Sequence, residues 1–445
     1  MRDQSGHPLL RDRGSCPEPR GPAIRRASTL RPLIISMMLM PGLVHLSGCK
    51  SQMAPDYARP LPSGTSALRK LPPDQWPSFT AAWKGADHGL LVALESSLSW
   101  FDKPSTRQFF PMEGISHEQA RLSVGALIEL LNNAESAVAF ESRLHEEFDI
   151  YTSVGWDGHG TVFFTGYFSP VFAASQQREG DYQFPLYRRP DDLVSDPVTG
   201  EILGRRVGQT HIRYPRRARI EAGPKSLGLV GHELVFLSSR LDAYLIHVNG
   251  SARLTLPDSS IMHVGYAGSN GHPYTSVGRL LVREGKIGEN ELSLKRLRSY
   301  FAEHPEQEEY YFNRNDRYVF FQTYEGERWP AGSLGLKVTP WRSLATDKSI
   351  FPRGCPVLVV TQTAATTKEG TDPIPFESIM VDQDTGGAIR AAGRADIFMG
   401  IGPAAEVHAG NQSAEGRLFY IILRADRIDA WRRVLPSRHT VAADT

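Results

Sequence analysis

Val381-Asp382-Gln383-Asp384-Thr385-Gly386-Gly387-Ala388-Ile389-Arg390 leads, three residues on, into Arg394-Ala395-Asp396-Ile397-Phe398-Met399-Gly400. The first part reads as a strand end entering a turn. A carboxylate before Thr-Gly-Gly is a turn device: its oxygens accept backbone N–H groups, and the glycines supply backbone angles closed to other residues. That structural role is the first reading of Asp384. The second part reads as a strand carrying one acid between Ala395 and Ile397-Phe398. Partial desolvation in such a setting raises a carboxyl pKa and keeps a fraction protonated near neutral pH. An acid of that kind can protonate a glycosidic oxygen. Local sequence leaves Asp396 open between this role and that of a paired structural residue.

Outward from this stretch, apolar and aromatic runs predict strands over 161–168, 261–267, 318–322, 357–362, 378–382 and 417–423. A longer strand is expected over 242–256. Helices are expected over 89–99, from Ser116 onward, over 277–284 and over 293–304. Ser116 and Gln119 have capping-box spacing, and Leu122, Leu127, Leu130 and Leu131 mark one apolar face. Leu294, Leu297 and Phe301 mark another. The 40 glycines and 31 prolines are spread along the chain, which favours short strands and loops over long helical bundles. The fold class is therefore mainly β, with helices gathered into two stretches.

Residues 1–48 read as a targeting segment. A basic stretch with Arg2, Arg11, Arg13, Arg20, Arg25, Arg26 and Arg31 precedes an apolar run from Leu33 to Leu46. That run is shorter than the roughly 20 residues of a membrane span and suits a signal-peptide core. It ends in Leu46-Ser47-Gly48-Cys49, which has the form of a lipobox whose cysteine is acylated before cleavage. Lys50 rather than Asp after the cysteine points to the outer membrane, with the protein facing the periplasm. Residues 49–85, rich in Pro, Ser and Ala, read as a tether. With Cys16 removed and Cys49 lipidated, Cys355 stands alone between Gly354 and Pro356 and reads as a small buried apolar side chain.

The remaining composition narrows the function classes. A formal net charge of +1 creates no global field toward nucleic acid or bare anionic membrane. His-Glu occurs at 117, 145 and 232, but none of the three pairs has a second His at zinc-protease spacing. The sequence contains no Gly-x-Ser-x-Gly elbow, phosphate loop or dinucleotide fingerprint. No metal and no cofactor are expected.

Several ordered motifs resemble one family, the membrane-bound lytic murein transglycosylases A. They are Phe164-Thr165-Gly166-Tyr167-Phe168-Ser169-Pro170, Pro185-Leu186-Tyr187-Arg188-Arg189-Pro190, Gly265-Tyr266-Ala267-Gly268-Ser269-Asn270-Gly271-His272-Pro273-Tyr274, Gly332-Ser333-Leu334-Gly335 and Arg342-Ser343-Leu344-Ala345-Thr346-Asp347, closing with 384–400. The resemblance covers roughly residues 160–425. It implies a double-psi β-barrel with a second inserted β-domain and a few peripheral helices. The barrel would combine 86–170 with 316–430, and the insert, 171–315, would form the other wall of a glycan groove. The last part resembles a domain named for three aspartates, which fall on Asp347, Asp384 and Asp396; the family's catalytic acid falls on Asp396. Where the family has Gln-Gly-Ser-Gly, this chain has Asn249-Gly250-Ser251-Ala252, so Ala252 brings a methyl where the backbone is expected to approach sugar. Phe398-Met399 replaces a usual aromatic pair.

The resemblance implies a peptidoglycan lytic exotransglycosylase, a carbon–oxygen lyase. It would cleave the β-1,4 bond between N-acetylmuramic acid and N-acetylglucosamine with formation of 1,6-anhydromuramyl ends. Its partners would be glycan strands and, through Cys49, a membrane. Hydrolases flank the bond with two carboxylates; here one carboxylate acts as acid and then as base. Tyr167, Asn249, Ser251, Asn270, Tyr274 and Asp384 are the candidate substrate-binding residues, and Asp347 a structural carboxylate. Tyr167 and Tyr274 equally read as core aromatics with bonded hydroxyls, and Asn270-Gly271 as a hairpin turn. Two rival readings remain: a non-catalytic glycan-binding envelope scaffold, and a hydrolase with Asp384 as second carboxylate.

Overall fold

The computed structural model describes residues 55–435 apart from 197–200, 327–328 and 367–370. The signal segment, the lipobox and Cys49 lie outside the described residues. Three strands come first: β1 (Leu68–Lys70), β2 (Phe148–Ser153) and β3 (Val162–Ser169). Then follow β4 (Val171–Ser175), β5 (Phe184–Tyr187), β6 (Leu193–Ser195), β7 (Ile202–Val207), β8 (Thr210–Ile212), β9 (Glu233–Leu237), β10 (Ser251–Thr255), β11 (Ile261–Ser269) and β12 (Val319–Tyr324). The last five are β13 (Ser343–Ala345), β14 (Pro356–Thr366), β15 (Thr371–Asp384), β16 (Arg394–Ile401) and β17 (Ser413–Leu423).

Six of these strands close on themselves in the order β17-β14-β15-β13-β16-β3, with β3 pairing back to β17. The ring can close because β17 is long enough to serve three neighbours. Ser413–Gly416 pair with β3, Arg417–Tyr420 with β14 and Phe419–Leu423 with β2. Side-chain alternation then sorts the residues between inside and outside. Ala395, Ile397 and Met399 of β16 and Val162, Phe164 and Phe168 of β3 enter the main core, while Asp396 and Thr165 point the other way. A fully buried Ile or Phe contributes about 1.5–3 kcal/mol, so a one-residue register slip of β16 would be expelled by its own side chains. The helix Gly402–Asn411 packs against β3 at Gly166, where an added Cβ would lie 2.8 Å from the Ala409 Cα.

The expected tether is shorter than the sequence suggested. Strand β1 pairs with β2, and Leu68, Leu71, Phe79 and Ala82 are buried in the main core. Spaced singly among Pro, Ser and charge, these residues give no periodic signal. The helix Ala137–Glu147 and strand β2 were likewise not anticipated.

The chain between β3 and β13 forms a second body. Its six-stranded sheet runs β12-β11-β10-β4-β9-β5, and a bridge from Arg188 to Phe321 brings the end of β5 back to β12. Ala252, Leu254, Val264, Val235, Leu186 and Phe321 form its core. Because β12 belongs to this sheet, the insert extends past the expected boundary at 315. The strand expected over 242–256 is a second correction. Residues Arg240–Asn249 are helical, capped by Ser239 and ended by Gly250 at φ 76°, and only then does β10 begin. Leu241, Leu245 and their neighbours are apolar enough for either reading; the Ser cap and left-handed Gly decide for helix.

Ser116 caps its helix as expected, accepting from the Gln119 N–H. The reciprocal half of the box is absent: Gln119 Nε2 donates instead to the Leu423 carbonyl, tying the helix to β17. Cys355 is fully buried with a free thiol, and desolvation pushes its pKa up.

Candidate active site

Strands β16 and β3 run parallel, with Asp396 opposite Thr165 and Phe398 opposite Tyr167. Thr165, Tyr167, Asp396 and Phe398 therefore share the outer face of the ring. The Thr165 hydroxyl donates to Asp396 Oδ1. Arg394, two residues earlier on the same face, reaches Asp396 Oδ1 at 3.3 Å and Thr165 Oγ1 at 3.0 Å. Among the described residues no hydrogen bond reaches Asp396 Oδ2. Burial raises the carboxyl pKa; Arg394 and the Thr165 hydroxyl pull against that rise without cancelling it. The result is an acid with one oxygen held and one available, retaining its proton to higher pH than an ordinary aspartate.

Asp384, at the end of β15, is held on both oxygens. Oδ1 accepts from the Ser333 N–H at 2.7 Å and the Thr385 N–H at 2.8 Å, and Oδ2 from the Tyr167 hydroxyl at 2.8 Å. Desolvation raises its pKa despite these donors. The Tyr167 phenol is pushed well above its usual value by burial and then by Asp384 and Asp396. Tyr167 thus stands between the two carboxylates, its ring 5.1 Å from that of Phe398.

The turn after Asp384 departs from expectation. Neither Gly386 nor Gly387 has a positive φ; the left-handed residue is Ala391, at φ 65°. Small size is what matters at 387, where a Cβ would lie 3.1 Å from Arg317 Nε of the insert. Asp347 holds Ala391 in place. Its Oδ2 accepts from the Ala391 N–H at 2.9 Å, and its Oδ1 from the Ser349 N–H and hydroxyl at 3.0 and 2.6 Å.

From the insert, Tyr274 comes close enough to Arg394 for the guanidinium to act on its phenol, whose pKa is raised chiefly by burial. Ser251 is buried at the junction, its Oγ 2.9 Å from Ser169 Oγ at the end of β3. Asn249 ends the preceding helix and donates to the Leu245 carbonyl. Two expectations fail. Asn270 is 1% exposed, and its amide is consumed by the Pro215 and Asp316 carbonyls and the Tyr318 and His272 N–H groups. It builds the insert rather than facing a ligand. Ala252 is fully buried in the insert core, so its methyl meets protein and not sugar.

Sequence reasoning missed Thr165 and Arg394. The two-residue spacing of Arg394 from Asp396 could have found the arginine; Thr165 required the strand pairing. It also missed the pair inside the ring, where fully buried Asp382 accepts from Lys348, Thr346 and Tyr420.

The chain matches known families over most of the described residues. The MltA specific insert domain matches residues 163–322, and the 3D domain residues 342–422. Membrane-bound lytic murein transglycosylase A of Escherichia coli K12 is 31% identical over 276 residues, covering 61% of this chain and 69% of that protein. Its Vibrio cholerae counterpart is 29% identical over 269 residues, covering 60% and 66%. Among solved structures, a membrane-bound lytic murein transglycosylase from Agrobacterium tumefaciens superposes with a TM-score of 0.65 at 24% identity, covering 82% of this chain and all of that one. E. coli MltA with bound chitohexaose gives 0.58 at 25% identity, covering 74% and 88%.

Proposed function

Because the chain belongs to the family of membrane-bound lytic murein transglycosylase A, we propose that it cleaves murein glycan strands with Asp396 as its single acid and base. The observation that carries this reading is the asymmetry of the Asp396 carboxyl: Oδ1 is held by Thr165 and Arg394, and Oδ2 has no protein partner among the described residues. Protonated Oδ2 donates to the glycosidic oxygen between N-acetylmuramic acid and N-acetylglucosamine as the C1–O bond breaks. The carboxylate then takes the proton of the muramyl C6 hydroxyl, which attacks C1. The proton is restored to Asp396 and the sugar leaves as a 1,6-anhydro end. No water is consumed, so no second carboxylate is needed.

Asp384 suits positioning better than general base work. Three donors already occupy its oxygens, one of them Tyr167, which it orients beside Asp396. Asp347 acts through the Ala391 backbone. Tyr167, Tyr274, Ser251 and Asn249 are the residues we assign to the sugar. Chitohexaose, bound by the E. coli relative, is a chain of N-acetylglucosamine, in keeping with a groove for acetamido sugars between ring and insert. We also assign the ring to the double-psi class; its parallel pairs β13–β15 and β16–β3 support that topology.

Product analysis tests the reading. Purified protein incubated with murein is expected to release 1,6-anhydromuramyl ends. Reducing ends instead would make it a hydrolase, and no cleavage would leave a glycan-binding scaffold. We further propose attachment to the outer membrane through lipidated Cys49, in the cell envelope and facing the periplasm. Lipid labelling that persists in Cys49→Ala would refute the anchor.

A further inference from the structure

A second cluster of chemistry lies away from Asp396, on the insert. A cavity of about 460 Å³ opens on its sheet, lined by Arg188, Arg189, Tyr266, Phe321, Gln322 and Thr323 among others. The Tyr266 side chain is 43% exposed there. Arg189 is committed to structure, donating to the Ala267 and Leu193 carbonyls and to Ser195 Oγ. Arg188 is not: its side chain is exposed, and it forms no ion pair or side-chain hydrogen bond among the described residues. The Tyr266 hydroxyl is within reach of Arg317, which also forms no ion pair among the described residues. Burial, and then Arg390, lowers the Arg317 pKa. Arg317 in turn lies against Gly387 of the turn that follows Asp384. Arg390 meets an anion only in Asp347, at 3.9 Å, and Asp347 is already engaged by Ser349 and Ala391.

Guanidinium groups left without anions around one open pocket require a reason. Like charges brought together and partly desolvated are unfavourable unless something negative completes them. A glycan of N-acetylated sugars is neutral and gives them nothing to bind. The peptides carried on muramyl residues of murein end in and branch through carboxylates, and a planar guanidinium matches a carboxylate in two-point geometry. The position fits. From Thr165 to Ser169 along β3, then across Ser251 and Gly265, Tyr266 lies on the order of 15–20 Å from Asp396 by strand spacings.

The geometry points to a subsite in which Arg188 and Arg317, flanking Tyr266, take a carboxylate of a stem peptide carried on the glycan strand. This rests on the transglycosylase reading and extends it from the glycan to its peptide. Bound there, the peptide would hold its own muramyl residue in register with the cleft, so the subsite would select peptide-bearing strands over bare ones.

The test uses the folded protein with two substrates: murein strands with stem peptides intact, and the same strands stripped by an amidase. Release of 1,6-anhydro ends gives kcat/KM for wild type, Arg188→Gln and Arg188→Lys. Wild type is expected to prefer peptide-bearing strands several-fold, with the preference shrinking as salt rises. Arg188→Gln should lose about tenfold on peptide-bearing strands and less than twofold on stripped ones, with Arg188→Lys between. Equal turnover of both substrates by wild type, or an equal loss on both in Arg188→Gln, would overturn the subsite. If wild type releases no anhydro ends from either substrate, the transglycosylase reading itself fails and the subsite with it.

Discussion

Asp384 and Asp396 both stand in register with Ala345, one on each side of its strand. Two strand spacings separate their backbones, about 9–10 Å. Within that one row the two acids have opposite surroundings. Asp384 spends both oxygens on three donors, whereas Asp396 keeps one oxygen without a partner among the described residues. Identical side chains in one row of the barrel are thus given different work by what the neighbouring loops present to them.

Asp396→Asn should abolish release of anhydro ends, by at least 10²–10⁴-fold as expected for loss of a general acid–base group. Its unfolding temperature at pH 7 should equal or exceed that of wild type, because burial disfavours the carboxylate that the substitution removes. A variant that turns over near the wild-type rate would remove Asp396 from the chemistry.

Arg394→Gln is the test of pKa control. The guanidinium favours the charged form of Asp396, so its removal should raise the carboxyl pKa further. The acid must enter the reaction protonated, and the alkaline limb of kcat/KM against pH should therefore move to higher pH. Asp384, Tyr167 and Tyr274 are the other titratable groups nearby and are unaltered in this variant. A limb that stays in place, or moves down, contradicts the arrangement. Stability has its own sign. With the folded pKa above the unfolded one, the folded state binds more protons, so the Asp396 contribution declines as pH rises from the unfolded pKa through the folded one.

Asp384→Ala should be a stability variant first. It strands the Ser333 and Thr385 N–H groups and the Tyr167 hydroxyl, and each unsatisfied buried group costs about 1–3 kcal/mol. Asp384→Asn should be milder, because the amide keeps an oxygen for the two N–H groups and the Tyr167 hydroxyl can turn to accept. Denaturant midpoints of the two variants measure this order. A fully stable, inactive Asp384→Asn would instead make Asp384 part of the chemistry.

Lys348→Met leaves Asp382 as an uncompensated charge inside the ring, between Thr346 and Tyr420. Breaking such a buried pair costs about 3–5 kcal/mol. Adding Asp382→Asn should recover part of the loss by removing the stranded charge. Chemical denaturation of the single and double variants gives the comparison; a double variant no more stable than Lys348→Met would show that packing, not charge, sets the cost.

Much of this protein is determined by its sequence alone. Alternation along 394–401 and 162–169 specifies two strands and which of their faces is buried, and it sets Asp396 apart from Ala395 and Ile397. Ser116 and Gly250 mark helix ends by local chemistry that acts within a few residues. Tertiary structure decided what depends on partners distant in the chain. Thr165 meets Asp396 across 231 residues, and Tyr167 meets Asp384 across 217. Neither contact leaves a trace in local periodicity, because strand pairing is set by ring closure and not by neighbours in sequence. The same holds for Asn270, whose turn-like setting looked available for a ligand until four backbone groups from other segments closed around its amide. Burial of Leu68 and Phe79 in a stretch that read as tether has the same cause: isolated apolar residues have no pattern, and only the core they fill reveals their place.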